Sequence, residues 1–367
     1  MHRQLAGDFC FIATTRMREE RKKLGYGMDC RPDYVHCIFE SDEENQLCRK
    51  WIDGADVVIA GSAPYKLLRR RIREGKPVFR YAERVYKNGP EPAKFLPRFL
   101  KWHLEYPAGK PVSLLCASAY TAGDYASFDL FRGRAYRWGY FPECKHYEPA
   151  ALMDGKKPAS ILWCGRFLDW KHPDDALYAA KTLKEEGHSF QMDLIGTGEM
   201  EDALSGYIRD HGLEEQVRLL GPMKPEQVRE KMEKASIFLC TSDFHEGWGA
   251  VLNESMNSGC AVVASHAIGA VPFLIDNGKN GLIYENGNRD MLIERIRYLL
   301  DHSAEREKVG MNAYRTITEM WNADVAAERF LLLADSAVGE REVPVFAEGP
   351  CSPAQIIHND WFEKGNL

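Results

Sequence analysis

The chain has 367 residues, 45% hydrophobic and 28% charged, a globular balance whose length favours two domains with their own cores over a small binding module or a disordered chain. With 48 basic and 54 acidic residues the net charge is −6, so no overall positive field exists to hold nucleic acid in non-specific contact. The longest apolar runs, such as 55–60 and 236–240, are strand-sized, and the start lacks the apolar stretch of a secretory signal, so the expectation is a cytoplasmic chain without a membrane span.

Short apolar runs alternate with amphipathic stretches, the pattern of buried parallel strands joined by crossover helices. In the first part strands are expected at 9–14, 34–39, 57–60, 78–81, 112–117 and 135–138, with helical pieces at 43–53 and 65–74. A polar, aperiodic stretch at 146–157 reads as a linker. The alternation restarts with strands at 160–164, 191–195, 217–220, 237–240, 261–264 and 281–284, and with helices at 173–187, 200–211, 225–235, 249–259 and 289–301. The expected architecture is α/β: two Rossmann-like, doubly wound domains, 1–145 and 158–335, facing across a cleft at the carboxyl edges of their sheets, where such folds bind ligands. The tail, 336–367, has no clear period and receives no function.

Ten cysteines run from Cys10 to Cys351 without a Cys-x-x-Cys, mostly inside apolar runs, and read as reduced core thiols. No His-Glu-x-x-His or Cys/His cluster has metal-ligand spacing, so no protein metal site is expected.

Four pieces of the second unit fall at strand ends or helix starts. After the first strand come Gly165, Arg166 and, five residues on, Lys171: a glycine permits close backbone approach and two cations can flank a pyrophosphate, although a solvated cation pair is the plainer reading. Gly196-Thr197-Gly198 and Gly221-Pro222-Met223 follow the next two strands and suit a nucleotide edge or a tight turn; the missing third glycine disfavours a nicotinamide cofactor. The fourth piece, 241–254, brackets Trp248 between Gly247 and Gly249 ahead of a helix whose first amides can receive a phosphate oxygen. Glu246 precedes that helix and Glu254 lies more than one turn into it, each an acceptor for sugar or ribose hydroxyls.

Glu246-x7-Glu254, preceded by Gly165-Arg166 and Lys171 and followed by 258–265 and Asn280-Gly281-Leu282-Ile283-Tyr284, resembles the donor domain of retaining GT-B glycosyltransferases of the group 1, or GT4, type, over roughly 158–335. The resemblance implies a nucleotide-diphospho-sugar donor as substrate, with no cofactor and no metal. Arg166 and Lys171 would neutralise the leaving diphosphate. Glu246 would hold sugar hydroxyls beside the amides of Gly247, Trp248 and Gly249, Glu254 the ribose, and the loop at Met223 the base, with Gly165, Gly196, Val251 and Leu252 completing the donor site. The first unit is similar, more weakly, to the acceptor domain. Where many members carry a histidine beside the reacting carbon this chain has Glu83, read either as an acceptor-orienting carboxylate or as half of a surface pair with Arg84.

The function so implied is transfer of a sugar to a hydroxyl of a glycan or lipid-linked acceptor. A nucleotide-sugar-binding protein without turnover stands as the rival and a Rossmann-type oxidoreductase as the lesser alternative. His245 and His172 read as structural. The run Arg69-Arg70-Arg71 reads as a solvated helix face or as a contact for anionic lipid at the inner face of the membrane. Because only eight residues precede the strand at 9–14, the first strand and most of the first helix of the acceptor unit are expected to be missing.

Overall fold

In the computed structural model, which describes residues 1–5, 7–17, 31–339 and 342–362, the chain divides into two compact units. The first comprises 1–116, 121–138 and 324–356, the second 117–120, 139–323 and 357–367.

In the first unit β1 (Phe11–Ala13) pairs in parallel with β2 (Val35–Cys37), and β3 (Val58–Ala60), β4 (Val78–Ala82), β5 (Val112–Cys116) and β6 (Ala135–Arg137) form a parallel sheet in sequential order. The intervening helices are α1 (Asp42–Gly54), α2 (Arg69–Arg73), α3 (Pro92–Glu105) and α4 (Thr121–Ala126). Ser41 caps α1, accepting the Glu44 amide at 3.1 Å, with Asp42, Glu43 and Glu44 in the first turn, where the helix dipole favours acids. Arg71 corrects the solvated-face reading of its run: it is fully buried, and its guanidinium donates to the carbonyls of Ile52, Ala55, Asp56 and Pro77, stitching α1 to the turn before β4.

The second unit has one six-stranded parallel sheet in the order β12-β11-β10-β7-β8-β9, built from β7 (Ser160–Cys164), β8 (Gln191–Ile195), β9 (Val217–Leu219), β10 (Ile237–Cys240), β11 (Ala261–Ser265) and β12 (Leu282–Tyr284). The order reverses between β7 and β10, which makes their carboxyl ends the switch point of the sheet. Alternate residues feed two cores: Ile161, Trp163, Ile237 and Leu239 pack on one face, and Leu162, Phe238, Val262 and Ala264 on the other. Burial on both faces is why these strands read as continuous apolar runs. The helices are α5 (Pro149–Asp154), α6 (Pro173–Glu185), α7 (Glu201–Asp210), α8 (Pro225–Lys234), α9 (Ala250–Asn257), the one-turn α10 (Val271–Leu274), α11 (Arg289–Asp301) and α12 (Ser303–Arg315).

Three boundaries differ from the sequence reading. The first unit's early segments end at 138 rather than 145, and the stretch read as a linker holds α5, whose Leu152 is buried within the second unit. The last helix, α13 (Ala323–Ala337), counts from Asp324 with the first unit, where Phe330 packs its ring 5.0 Å from Phe79 and 5.8 Å from Trp138. The tail has work to do. Arg137 N donates to Ser352 O, Cys351 N to Arg137 O and Ala354 N to Ala135 O, at 2.8 to 2.9 Å, so residues 351–354 cover the open edge of β6.

Candidate active site

Backbone lacing shapes the carboxyl rim of the second unit's sheet. Gly165 N, after β7, donates to Ile195 O, and Gly196 N, after β8, donates to Gly221 O, each at 3.0 Å. A Cβ on Gly196 would lie 1.8 Å from Gly165 O, so only glycine lets these strand ends approach so closely. The turn after Gly165 turns Arg166 outward, its side chain exposed and without an ion pair among the described residues. A one-turn 3-10 helix, Asp169–Lys171, then leads through His172, in the left-handed region at φ +48°, into α6.

The loop after β10 is locked to that turn. Thr241 Oγ1 accepts from Trp163 Nε1 at 2.8 Å and donates to Lys171 O at 2.7 Å, and Asp243 N donates to Trp170 O at 3.0 Å. Across the seam Lys171 Nζ donates to Glu246 Oε2, and Ser242 Oγ donates to the same oxygen at 3.2 Å. The two charged side chains are 15% and 14% exposed, and the Lys171 ammonium lies 4.5 Å from the Trp170 ring centroid. An ion pair drawn this far out of water persists because hydrogen bonds and a ring face complement the pair itself.

Gly249 closes the loop in the left-handed region, at φ +89°, as the residue before α9, and this leaves the helix's first amides and its positive end at the loop. Lys171, Ser242, Glu246, Gly249, Val251 and Ile268 line a small cleft beside Cys164 and Cys240, which end the neighbouring strands β7 and β10. The thiols report the local field. Burial pushes Cys164 up to about 12, the Glu254 carboxylate adding to the rise and Lys171 opposing it. Burial also raises Cys240, with Glu246 adding and Lys171 opposing. Glu254 is half-buried on α9. Its carboxylate accepts no hydrogen bond among the described residues, and burial holds its pKa above the ordinary carboxylate range, partly offset by Arg229.

Gly165, Arg166, Lys171, Gly196, Glu246, Gly247, Gly249, Val251 and Glu254 therefore belong to one strand-end rim and the loops that rise from it. Three residues of the expected donor site put no side chain there. Trp248 and Leu252 are 1% and 0% exposed in the core behind the loop, Trp248 Nε1 donating to Asn253 Oδ1 at 2.8 Å, so only their backbone is at hand for a ligand. Met223 lines a different groove, on the sheet face beside α8 with Leu162, Asp193 and Lys231, and not the cleft at Lys171. Glu83 lies in the first unit just after β4 and pairs with Lys87. Arg84 is buried 3.5 Å from Asp124, whose carboxylate accepts the amides of Val85 and Tyr86 at 2.7 and 3.1 Å. Sequence reading passed over Asp124, a lone acid in a short helix, as it passed over Asp243, which accepts both the His245 amide and ring Nδ1 at 2.8 Å and stands 3.5 Å from His172.

Residues 149–316 match the family model described as Glycosyl transferases group 1. Among curated proteins, the amylovoran biosynthesis glycosyltransferase AmsK of Erwinia amylovora is 29% identical over 175 residues, 46% of this chain and 43% of AmsK. The chain spans less than half the length of the first curated relatives it matches. Among solved structures, a glycosyltransferase from Rickettsia africae is similar at a TM-score of 0.65, 14% identity and 90% coverage of both chains. Anabaena HepE in complex with UDP is similar at a TM-score of 0.63 and 15% identity, covering 82% of this chain and 85% of HepE. Residues 149–316 are therefore similar to the group 1 glycosyltransferases, and the chain's two units of parallel sheet and helix share the α/β fold of these glycosyltransferase structures.

Proposed function

We propose that the chain is a retaining glycosyltransferase that moves a sugar from a nucleotide-diphospho-sugar to a hydroxyl of a glycan or lipid-linked acceptor, without a metal ion, in the cytoplasm and in peripheral contact with the membrane's inner face. The observation that carries this reading is the seam between two strand-end loops, where Lys171 and Glu246 meet beside the start of α9 and an unbonded, half-buried Glu254. The donor has matching parts: an anionic diphosphate for Lys171, Arg166 and the helix amides, and hydroxyls for the two carboxylates. In the transfer the bond from the anomeric carbon to the diphosphate oxygen breaks. The acceptor oxygen bonds to that carbon from the same face, and its proton passes to the departing phosphate. Lys171, Arg166 and the α9 dipole stabilise the negative charge that grows there, which is the part a divalent ion would otherwise play.

HepE binds UDP, so uridine is the first base to try. Thermal-shift titration with UDP, GDP and their sugars tests the donor, because a ligand of the native state raises its melting temperature by mass action. Glu254→Ala is expected to weaken UDP and UDP-sugar alike, and Glu246→Ala to remove chiefly the increment due to the sugar. Equal loss for both ligands in Glu246→Ala would assign that carboxylate elsewhere. Turnover with EDTA present is expected to equal turnover without it; reversible loss on chelation would refute the metal-free reading.

A further inference from the structure

Helix α3 is the one long helix of the first unit with no buried residue among the described ones. One side of it packs: the rings of Phe95 and Trp102 lie 4.8 and 4.7 Å from Phe128, Trp102 lies 5.1 Å from Tyr125, and His103 Nε2 is 2.9 Å from Phe128 O. The opposite row does not. Leu96, Leu100 and Leu104, spaced four apart and therefore in line along the helix, are 62%, 57% and 76% exposed. Nothing about folding alone favours three leucines in water.

Charge is the second observation. In a chain of net charge −6, residues 65–76 and 91–110 together carry ten basic side chains and three acidic ones, Glu74, Glu91 and Glu105. The two segments are tied, Tyr65 Oη donating to Leu104 O at 3.3 Å and Lys110 Nζ to Arg73 O at 2.7 Å. Arg71 is buried, Arg70 is held by Glu74 and Asp53, and the Lys94 and Lys101 ammoniums pair with Glu91 and Glu105 on the solvent side. Lys66, Arg69, Arg73, Lys94 and Lys101 nonetheless remain exposed on these two tied segments.

We propose that this surface docks the chain on an anionic lipid bilayer, the leucine row entering the boundary between headgroups and acyl chains and the flanking cations meeting the headgroups. An apolar row bordered by cations is what an interfacial helix needs. A second copy set face to face would bring two basic patches together, and a nucleic-acid backbone has no use for the leucines. The proposal gives a surface to the membrane contact in the functional reading above and does not depend on transfer.

Flotation of the full chain with vesicles of phosphatidylcholine, alone or mixed with phosphatidylglycerol, tests it. The chain is expected to float with the mixed vesicles and to be released by salt, and Leu100→Glu with Leu104→Glu to lower the bound fraction about tenfold. Lys94→Glu with Lys101→Glu is expected to act likewise on the mixed vesicles. These exposed substitutions leave the UDP thermal shift intact if the donor reading holds, so loss of UDP binding and loss of flotation are separate results. Failure of the native chain to float, or flotation of the leucine variant at the native level, would overturn the proposal. So would a dimer in light scattering that the leucine variant converts to monomer, or salt-sensitive RNA binding in place of vesicle binding.

Discussion

Lys171 and Glu246 hold each other in a cleft largely closed to water, and neither can be removed without leaving the opposite charge behind. Lys171→Ala is expected to destabilise toward the lower end of the ~3–5 kcal/mol seen when one partner of a buried pair is deleted, because solvent still reaches about a seventh of each side chain. Replacing both partners by leucine removes the orphan and recovers part of that loss. Chemical denaturation of the two single variants and the double variant measures the coupling; strict additivity would mean that the pair is not one. Glu254 runs the other way. Its raised pKa means that, above the ordinary carboxylate range, the folded chain keeps a proton the unfolded chain has lost, so this group favours folding at low pH, and stability falls as pH rises through its folded value. Glu254→Gln is expected to raise the unliganded melting temperature at pH 7, by roughly 2–4 °C for each 1 kcal/mol relieved in a domain of this size, while shrinking the shift produced by UDP. A lower melting temperature or an undiminished UDP shift would contradict the role given to this carboxylate.

At the level of elements, the second unit's C-terminal segment is a strap. The Asn286 amide donates to His266 Nδ1 at 2.9 Å, which fixes the ring proton on Nε2, and Nε2 donates to Asn359 O at 3.0 Å. Trp361 Nε1 donates to Tyr120 Oη at 2.8 Å, and the Phe362 ring stacks on His266, which also meets Phe244 in the loop of Glu246 edge-on. Burial depresses the pKa of His266, so the unfolded chain binds its proton more readily, and the stability it contributes is lost as pH falls below about 6.5 toward the folded value. Ending the chain after Ile356 is expected to cost about 1–3 kcal/mol from the lost ring contacts and buried hydrogen bonds and to weaken the stability change between pH 7 and pH 5. Melting curves at the two pH values read both effects, and a truncated chain with the native pH profile would deny His266 that part. None of this strap was legible in the sequence, since 357–362 has neither period nor motif and its partners lie far away in the chain. The strands were legible because burial on both faces writes itself as apolar runs. Helix α3 was not, because Pro97 and its unburied leucines obscure the usual single apolar stripe. Of the site, the charged residues and glycines were readable from loop position. The burial of the Trp248 ring was not readable, because an aromatic between two glycines looks the same from the sequence whether it faces a ligand or the core.

For the molecule as a whole, two compact units on one chain make a single two-state transition an unsafe description of unfolding, and this gives the donor reading a sharper test than affinity alone. Every residue assigned to nucleotide-sugar binding lies within 139–323, and Glu83, read for the acceptor, lies in the other unit. A ligand that binds only that unit stabilises it by about 2.7 kcal/mol at one hundred times its dissociation constant and has no direct hold on the other. Trp248→Ala supplies the label. Deleting a fully buried tryptophan costs about 3–5 kcal/mol in the unit that holds it, so the calorimetric transition that this variant lowers belongs to the second unit. UDP is expected to raise that same transition and to leave the remaining one where it stands. If UDP instead raises only the transition that Trp248→Ala leaves unmoved, the donor site has been placed in the wrong unit. If both move together in every measurement, the chain unfolds as one cooperative body, and the division of labour between its units fails with it.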